Sequence, residues 1–416
     1  MSLNKIKLFL VTPIFSPGAL GGAEKLAYEY ADILQEELDV TVVTTTAKDY
    51  RTWKNFYKSG TEEIGGLKII RFPVEKERNI KRFNKLHKKL INNKEKISDK
   101  DFKKWLEYQG RYSPGLVRFI DEHKEESHLF FFITYLYYPT AISISQVKTK
   151  SICALTLHDE PPAYFPQFQR LYTENISYCF STLDELDIYK KIFHNTPKIF
   201  SIVGVNVKKP ELTERSLILP DKFILYIGRI DEGKGISSLL ENYTYWRNHS
   251  KDVPDLILLG GGNIPEIVPE GVHFKGFVSS EDKYNYIKKS LFLINPSPKE
   301  SFSIVIMESW LFEKPVIVNS SCDTMKNHCI RSNGGLYFSS PESFQKIGDL
   351  MMNNSELRKG MGRNGSKYVQ LNYSREVIKN KLLTLIQTKL NETKTHAMSQ
   401  ETDNTIHRKT KKLFLG

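Results

Sequence analysis

Cysteine is scarce: four in 416 residues, at positions 153, 179, 322 and 329. No two stand at C-x-x-C or metal-ligand spacing, and their neighbours are mostly apolar. A disulfide scaffold and a cysteine-built metal site are thereby excluded, and buried thiols in a reducing compartment are expected. The opening Met1-Ser2-Leu3-Asn4-Lys5 has neither the apolar core nor the cleavage site of a signal peptide and runs straight into a strand-like segment. Long apolar runs are missing too. The best candidate, Leu129 to Val147, is interrupted by Thr134, Pro139, several tyrosines and three serines, which predicts a buried strand followed by a helix instead of a membrane span. Sequons such as that at Asn175 then carry no meaning. There is no short-period repeat. Acidic residues fall short of basic ones, 48 against 60, leaving a net charge of +12. That excess attracts nucleic acid, acidic lipid or phosphorylated substrate without choosing among them.

What is present is ordinary in amount and ordered in arrangement. Apolar residues make up 40% and charged residues 26%, as in a globular protein, and the length suits two large α/β domains. The run Ile6-Lys7-Leu8-Phe9-Leu10-Val11 reads as a buried parallel strand. A Pro/Gly-rich loop from Pro13 to Gly22 follows, then a helix with Leu26, Tyr30, Ile33 and Leu34 on one face, then a second strand at Val40-Thr41-Val42-Val43-Thr44. This is the start of a doubly wound sheet. Strand-like runs at Leu129–Ile133, Ser151–Leu157 and Ile199–Val203 complete the first half. A charged linker from Lys208 to Arg215 precedes a fresh α/β pattern that begins at Phe223-Ile224-Leu225-Tyr226-Ile227. The residues from Asn391 to Gly416 are polar and basic, and disorder is expected there.

Charge is unevenly spread. Between Glu75 and Lys104 stand twelve Lys/Arg and five acids, a local excess of seven. Phe83, Leu86, Leu90 and Ile91 recur among the lysines at helical spacing. A solvated surface helix and an interfacial helix on anionic lipid both fit, each basic residue near such a surface contributing about 1 kcal/mol. Nucleic acid fits less well, because no stacking platform or known motif accompanies the charge.

The chemistry is expected beyond the carboxyl ends of the strands in the second half. In Tyr226-Ile227-Gly228-Arg229-Ile230-Asp231-Glu232-Gly233-Lys234-Gly235, two cations share a loop with glycines that allow close backbone approach. Arg229 can fork onto two phosphate oxygens and Lys234 adds a point charge; solvated loop cations are the bland alternative. The triplet Gly260-Gly261-Gly262 suits a tight turn or a ligand-facing backbone equally. The third loop, Asn295-Pro296-Ser297-Pro298-Lys299-Glu300, leads into a helix expected to begin at Ser301-Phe302-Ser303 and to run to about Phe312, whose N-terminal amides favour a phosphate. Glu300 precedes that helix and Glu308 lies inside it among Ile306, Met307, Trp310 and Leu311, where a carboxylate needs a salt-bridge partner or a ligand.

Taken in order, these segments resemble retaining glycosyltransferase family four. Gly21-Gly22-Ala23-Glu24 resembles its N-terminal glycine loop, His158-Asp159 its cleft histidine, and Gly228-Arg229 with Lys234-Gly235 its phosphate loop. Glu300 to Glu308, followed by Lys314-Pro315-Val316-Ile317-Val318, resembles its E-x7-E motif and the next strand; Asn333-Gly334-Gly335-Leu336-Tyr337 is a weaker match. Order and spacing agree from about residue 5 to 390. The resemblance implies the GT-B fold, two Rossmann-like doubly wound domains facing a central cleft. It implies an acceptor-side domain at 1–205 with the basic helical insertion at 75–127, completed by a C-terminal helix at 366–390, and a donor domain at 206–365. It implies sugar transfer with retention from a nucleotide-diphosphate sugar to a saccharide or lipid-linked acceptor, in surface polysaccharide or glycolipid synthesis. Arg229 and Lys234 would hold the diphosphate, Glu308 the ribose, and Glu300 the sugar hydroxyls. The amides of Phe302 and Ser303, with Gly22 and Gly228, would approach the phosphates, and His158 would bond the sugar or shape the reacting centre.

Such a site stabilises the leaving diphosphate with cations and a helix end, so no obligatory metal or cofactor is expected. Asp99-Lys100-Asp101 matches a metal-binding DxD triplet by chance, since it lies in the basic helical piece. The family often has glycine where this chain has Ser301 and Ser303. The expected setting is cytoplasmic, peripheral at the inner face of a membrane. Tyr135, Tyr137 and Tyr138 are candidates to face the acceptor, although tyrosines there more often serve packing. A GT-B nucleotide-sugar epimerase and a non-catalytic, membrane-associated sugar-nucleotide-binding subunit are the competing readings.

Overall fold

Phe130, Phe131 and Phe132 follow one another in a strand and all are fully buried. Consecutive buried side chains point to opposite faces of a sheet, so both faces must be covered, as they are when helices flank parallel strands. The computed structural model describes residues 6–16, 21–49, 52–172, 175–211, 218–264 and 266–414, with side chains to 395. The chain divides into two units, Met1–Val203 with Lys379–Gly416, and Gly204–Ile378.

The first unit opens with β1 (Lys7–Val11), α1 (Gly22–Leu34), β2 (Asp39–Thr45), β3 (Gly60–Ile64) and β4 (Leu67–Phe72). The basic stretch then supplies α2 (Ile80–Asn92), α3 (Asp99–Tyr108) and α4 (Pro114–Glu122). After it come β5 (Leu129–Ile133), α5 (Tyr138–Ser143), β6 (Ser151–Ala154), α6 (Pro166–Leu171), β7 (Ser177–Phe180), α7 (Leu183–Phe193) and β8 (Phe200–Ile202). The sheet order is β3-β4-β2-β1-β5-β6-β7-β8, parallel except for the β3–β4 hairpin at its edge. Strand order reverses between β1 and β5, which sets the switch point of this sheet there.

The α2 stripe does not remain free. Phe83 and Leu90 are buried in the unit's main core with Trp105 of α3, and Leu86 and Ile91 pack against it. No apolar face is left for insertion into lipid, whereas Lys81, Arg82, Lys85, Lys88 and Lys89 are all exposed. Apart from Ile80 at its start, this helix offers a surface chiefly charge. Asp99 and Asp101 sit in the first turn of α3 and are spent on local pairing, Asp99 with Arg170 at 2.6 Å and Gln167, Asp101 with Lys89 at 3.4 Å.

The second unit contains β9 (Phe223–Ile227), α8 (Ile236–His249), β10 (Asp255–Leu259), β11 (Val272–Gly276), α9 (Ser280–Lys289) and β12 (Leu293–Asn295). It continues with α10 (Ile304–Leu311), β13 (Val316–Asn319), α11 (Asp323–Ser332), β14 (Gly335–Phe338), α12 (Pro341–Asn353) and α13 (Ser355–Tyr373). Its six strands are ordered β11-β10-β9-β12-β13-β14 and all pair in parallel. Here the switch point lies between β9 and β12.

A final helix, α14 (Arg375–Phe414), starts in the second unit and continues into the first. The single closing helix expected at 366–390 is thus replaced by α13 and α14, broken at Ser374, which has extended backbone. The tail expected to be disordered from Asn391 has helical backbone to Phe414, an unbroken extension of α14. Part of the expected linker, 212–217, lies outside the described residues. The four cysteines are free and buried, with the thiols of Cys179 and Cys329 pushed up to about 12 by burial. Among the described residues no helix is long and apolar enough to cross a membrane.

Candidate functional site

Two loops leave the switch point of the second sheet, residues 228–235 after β9 and 296–303 after β12. In the first, Asp231 caps a short turn by accepting the Lys234 amide at 3.1 Å. Its other oxygen meets Arg229 Nη1 at 3.2 Å. Tyr226, the fourth residue of β9, donates its hydroxyl to the Arg229 carbonyl at 2.7 Å. Burial, with Glu300 and Asp231 nearby, raises the Tyr226 phenol, so it stays a neutral donor. Gly235 closes the loop with φ +74°, and a Cβ there would lie 2.6 Å from the Pro296 carbonyl oxygen. Only glycine lets the two loops approach this closely.

The three glycines after β10 extend the sheet alongside the first loop. Gly228 N donates to Leu259 O, Ile230 N to Gly261 O, and Asn263 N to Ile230 O. A Cβ on Gly260 or Gly262 would strike the carbonyl oxygens of Gly228 or Ile230 at about van der Waals overlap, 1.9 and 2.1 Å. These glycines serve close backbone approach to the first loop.

The second loop braces itself. Asn295 accepts the Ser297 amide at 3.0 Å, Ser297 Oγ donates to the Lys299 carbonyl at 3.0 Å, and Asn319 Nδ2 donates to the Pro296 carbonyl at 3.0 Å. The helix begins at Ile304, three residues later than expected, because Ser303 takes a left-handed conformation with φ 62° and ψ 72°. That conformation accounts for glycine at this place in the resembling family, since it disfavours a Cβ. Here a serine holds it, its Oγ accepting from Asn295 Nδ2 at 3.0 Å. Among the described residues the amides of Phe302 and Ser303 meet no acceptor. The Phe302 side chain is buried against Tyr373 and His328, with ring centroids at 4.9 and 5.5 Å. Burial pulls His328 down to about 3, so that contact is with a neutral imidazole.

The loops meet at one ion pair: Lys234 Nζ lies 2.6 Å from Glu300 Oε1, with the two side chains 24% and 18% exposed. Arg229, Asp231, Lys234 and Glu300 therefore form one cluster. Glu308 lies apart from that pair. Lys283 of α9 holds both its oxygens, at 2.8 and 2.9 Å, and the Tyr284 hydroxyl donates to Oε1 at 3.2 Å. The buried carboxylate is salt-bridged, the alternative weighed for it from sequence. Asp231, Lys283, Tyr284 and Asn295 escaped that reading. Lys283 carried no signal, because its tie to Glu308 spans 25 residues and two helices.

Two expected residues belong to the first unit. Gly22 opens α1 and is exposed, and among the described residues nothing lies within 4 Å of where a Cβ would stand. His158 is half-buried in the loop after β6. Its loop is held from beneath by Glu185, the third residue of α7, whose Oε1 accepts the Leu157 amide at 2.8 Å and Oε2 the Ser181 amide at 2.6 Å. Burial pushes Glu185 up to about 7 against the opposing pull of those amides. Tyr135 and Tyr138 are core residues; Tyr137 is half-buried.

Residues 208–368 match the family model described as glycosyl transferases group 1. The second unit carries a glycosyltransferase group 1 domain. The chain is 31% identical over 119 residues to "Glycosyltransferase 1 domain-containing protein 1" of Xenopus tropicalis; the match spans 28% of this chain and about a third, 34%, of that relative's length. Among solved structures, sucrose-phosphate synthase of Thermosynechococcus elongatus superposes with a TM-score of 0.67 at 16% identity, covering 92% of this chain and 99% of that one. HepE of Anabaena, solved with UDP and glucose, superposes with a TM-score of 0.61 at 12% identity, covering 92% and 100%. The fold is GT-B. In the glycosyltransferase domain, the loops carrying Arg229, Lys234 and Glu300 stand at the carboxyl ends of β9 and β12.

Proposed function

We propose that this protein is a retaining glycosyltransferase that moves a sugar from a nucleotide-diphosphate sugar to a saccharide or lipid-linked acceptor. The observation that carries the reading is the Arg229–Asp231–Lys234–Glu300 cluster at the switch point of a glycosyltransferase domain, beside the free amides of Phe302 and Ser303. In the resting protein Lys234 and Glu300 neutralise each other. A bound diphosphate draws Lys234 and releases a Glu300 oxygen toward sugar hydroxyls. Glu308, paired with Lys283, accepts from the ribose.

The transfer breaks the bond between the anomeric carbon and the diphosphate oxygen and forms the acceptor oxygen–carbon bond on the same face. The acceptor's proton passes to the departing phosphate oxygen. Negative charge accumulates on that diphosphate, and Arg229, Lys234 and the start of α10 stabilise it. Where the acceptor is lipid-linked, the exposed cations of α2 hold the protein to an anionic leaflet by charge, in the setting of surface polysaccharide or glycolipid synthesis.

The test is a binding and turnover screen over UDP-, GDP-, ADP- and dTDP-sugars, following released nucleotide with and without candidate acceptors. Acceptor-dependent release of one nucleotide, lost in Lys234→Ala, is the expected result. Product formed without any acceptor would point to the epimerase reading, and no binding across the panel would overturn both.

A further inference from the structure

Among the described residues several buried charges are compensated, and that of Arg111 is not. Arg71 donates to the carbonyls of Phe15 and Thr45 and pairs with Glu62. Lys389 pairs with Glu392, Glu308 with Lys283, and Glu185 accepts backbone amides. Arg111 is 3% exposed, yet among the described residues no carboxylate lies within ion-pair distance of it. Its Nε is buried with no acceptor, and its polar neighbour is the Tyr137 hydroxyl. The guanidinium is sandwiched between Trp53, 3.7 Å from its ring centroid, and Tyr137, the two ring centroids being 6.1 Å apart. The Tyr137 hydroxyl is hydrogen-bonded to the guanidinium, and Nε is left without an acceptor.

The backbone around it is strained as well. Arg111 and Trp53 both have positive φ, 64° and 60°, and Gly110 has φ +97° where a Cβ would lie 2.4 Å from the Trp53 ring. Residues held in such conformations gather at ligand sites. A second cation, Arg78, is close enough to oppose the charge on Arg111, and its own Nε is buried without an acceptor. Burial holds Arg111 down to about 9. The position matters too: Tyr137 follows β5, Trp53 follows β2, and Glu24, whose charge Arg111 feels, stands in the first turn of α1. All lie on the carboxyl-end side of the first sheet, at its switch point.

We propose that Arg111, with Arg78 beside it, is an anion-binding subsite of the first unit that takes a phosphate monoester or carboxylate carried by the acceptor. The guanidinium edge forks onto two oxygens of that group. The word acceptor rests on the transfer reading above; the anion site stands without it.

Inorganic phosphate and glucuronate serve as probes, titrated separately against the full chain while tryptophan emission and heat are followed, with Trp53 as the local reporter. Saturable binding is expected in the wild type and in Lys234→Ala, at least tenfold weaker in Arg111→Lys, and absent in Arg111→Met. The emission change disappears in Trp53→Phe while the heat remains. Arg111→Met is expected to melt no lower than wild type, since the cation it removes has no carboxylate partner. Whichever probe binds more tightly names the acidic group. No saturable binding of either probe overturns the proposal, as does undiminished binding in Arg111→Met; if that variant fails to fold, undiminished binding in Arg111→Lys does so. UDP binding in the same variants reports on the donor loops alone, so loss of donor binding and loss of anion binding are told apart.

Discussion

Replacing Glu308 by glutamine separates two roles that sequence places on one carboxylate, contact with the donor and support of the domain. Both Glu308 oxygens accept from Lys283 Nζ, with the glutamate side chain 5% and the lysine side chain 22% exposed. At an effective dielectric constant of about 20, the gross attraction at this separation is about 6 kcal/mol. Both charges lose hydration and the lysine keeps some contact with water, which reduces the net loss in Glu308→Gln to about 1–3 kcal/mol. For a unit of this size that lowers Tm by roughly 3–9 °C. Lys283→Met is the harsher change, costing about 3–5 kcal/mol, because it leaves a buried carboxylate with the Tyr284 hydroxyl in place of a cation. The double variant should recover part of that loss. Urea denaturation followed through Trp246 and Trp310, both buried in the second unit, gives the four stabilities of the cycle. A coupling below about 0.5 kcal/mol would show the pair to be energetically idle and the reasoning wrong. If the coupling is present, nucleotide affinity in Glu308→Gln must be compared at temperatures well below its lowered Tm. A loss of affinity that persists there belongs to the donor contact.

Gly235→Ala combines a φ of +74° with a Cβ at 2.6 Å from the Pro296 carbonyl oxygen; a destabilisation of at least about 1–2 kcal/mol and weaker nucleotide binding are expected, measured by thermal melting and calorimetry. Ser303→Gly relieves the left-handed strain and forfeits the Asn295 hydrogen bond, two effects of about 1 kcal/mol each, so its Tm should stay near wild type, and a large drop would contradict the balance. Glu185 has a folded pKa of about 7, above its unfolded value, so the stability its neutral form contributes is complete at low pH. It is lost as pH rises from about 4.5 through 7; denaturation curves across that window should show the slope in wild type and a flatter profile in Glu185→Gln. Binding to vesicles of anionic lipid should be weakened by salt and by charge reversal at Lys81, Lys85 and Lys88, and indifferent to the buried Phe83, if the α2 surface acts by charge alone.

Much of this architecture is local and therefore legible in the chain. The buried runs at Leu8–Val11, Phe130–Phe132 and Ile224–Tyr226 announce parallel strands without reference to any partner, because a strand covered on both faces has no polar positions to alternate with. The loops carrying Arg229, Lys234 and Glu300 are legible for the same reason: each follows such a strand directly, and Gly235 marks a close approach. The start of α10 was misplaced because the left-handed turn at Ser303 depends on Asn295, a neighbour eight residues away that propensity does not weigh. The stripe of α2 reads alike whether it faces lipid or Trp105, since periodicity gives the face of a helix and never what covers it. Glu308 needed a partner by its burial, but its choice of Lys283 was settled only when folding brought the Lys283 side chain of α9 within reach of α10. Arg111 carries no signal in sequence, being one cation among 60 Lys and Arg; folding places it between two rings with no described carboxylate in ion-pair contact. Sequence determines which residues need a partner, because hydrophobicity and backbone preference are properties of the residue. Tertiary structure decides which partner is met, because electrostatic and packing energies depend on distances that only the folded chain sets.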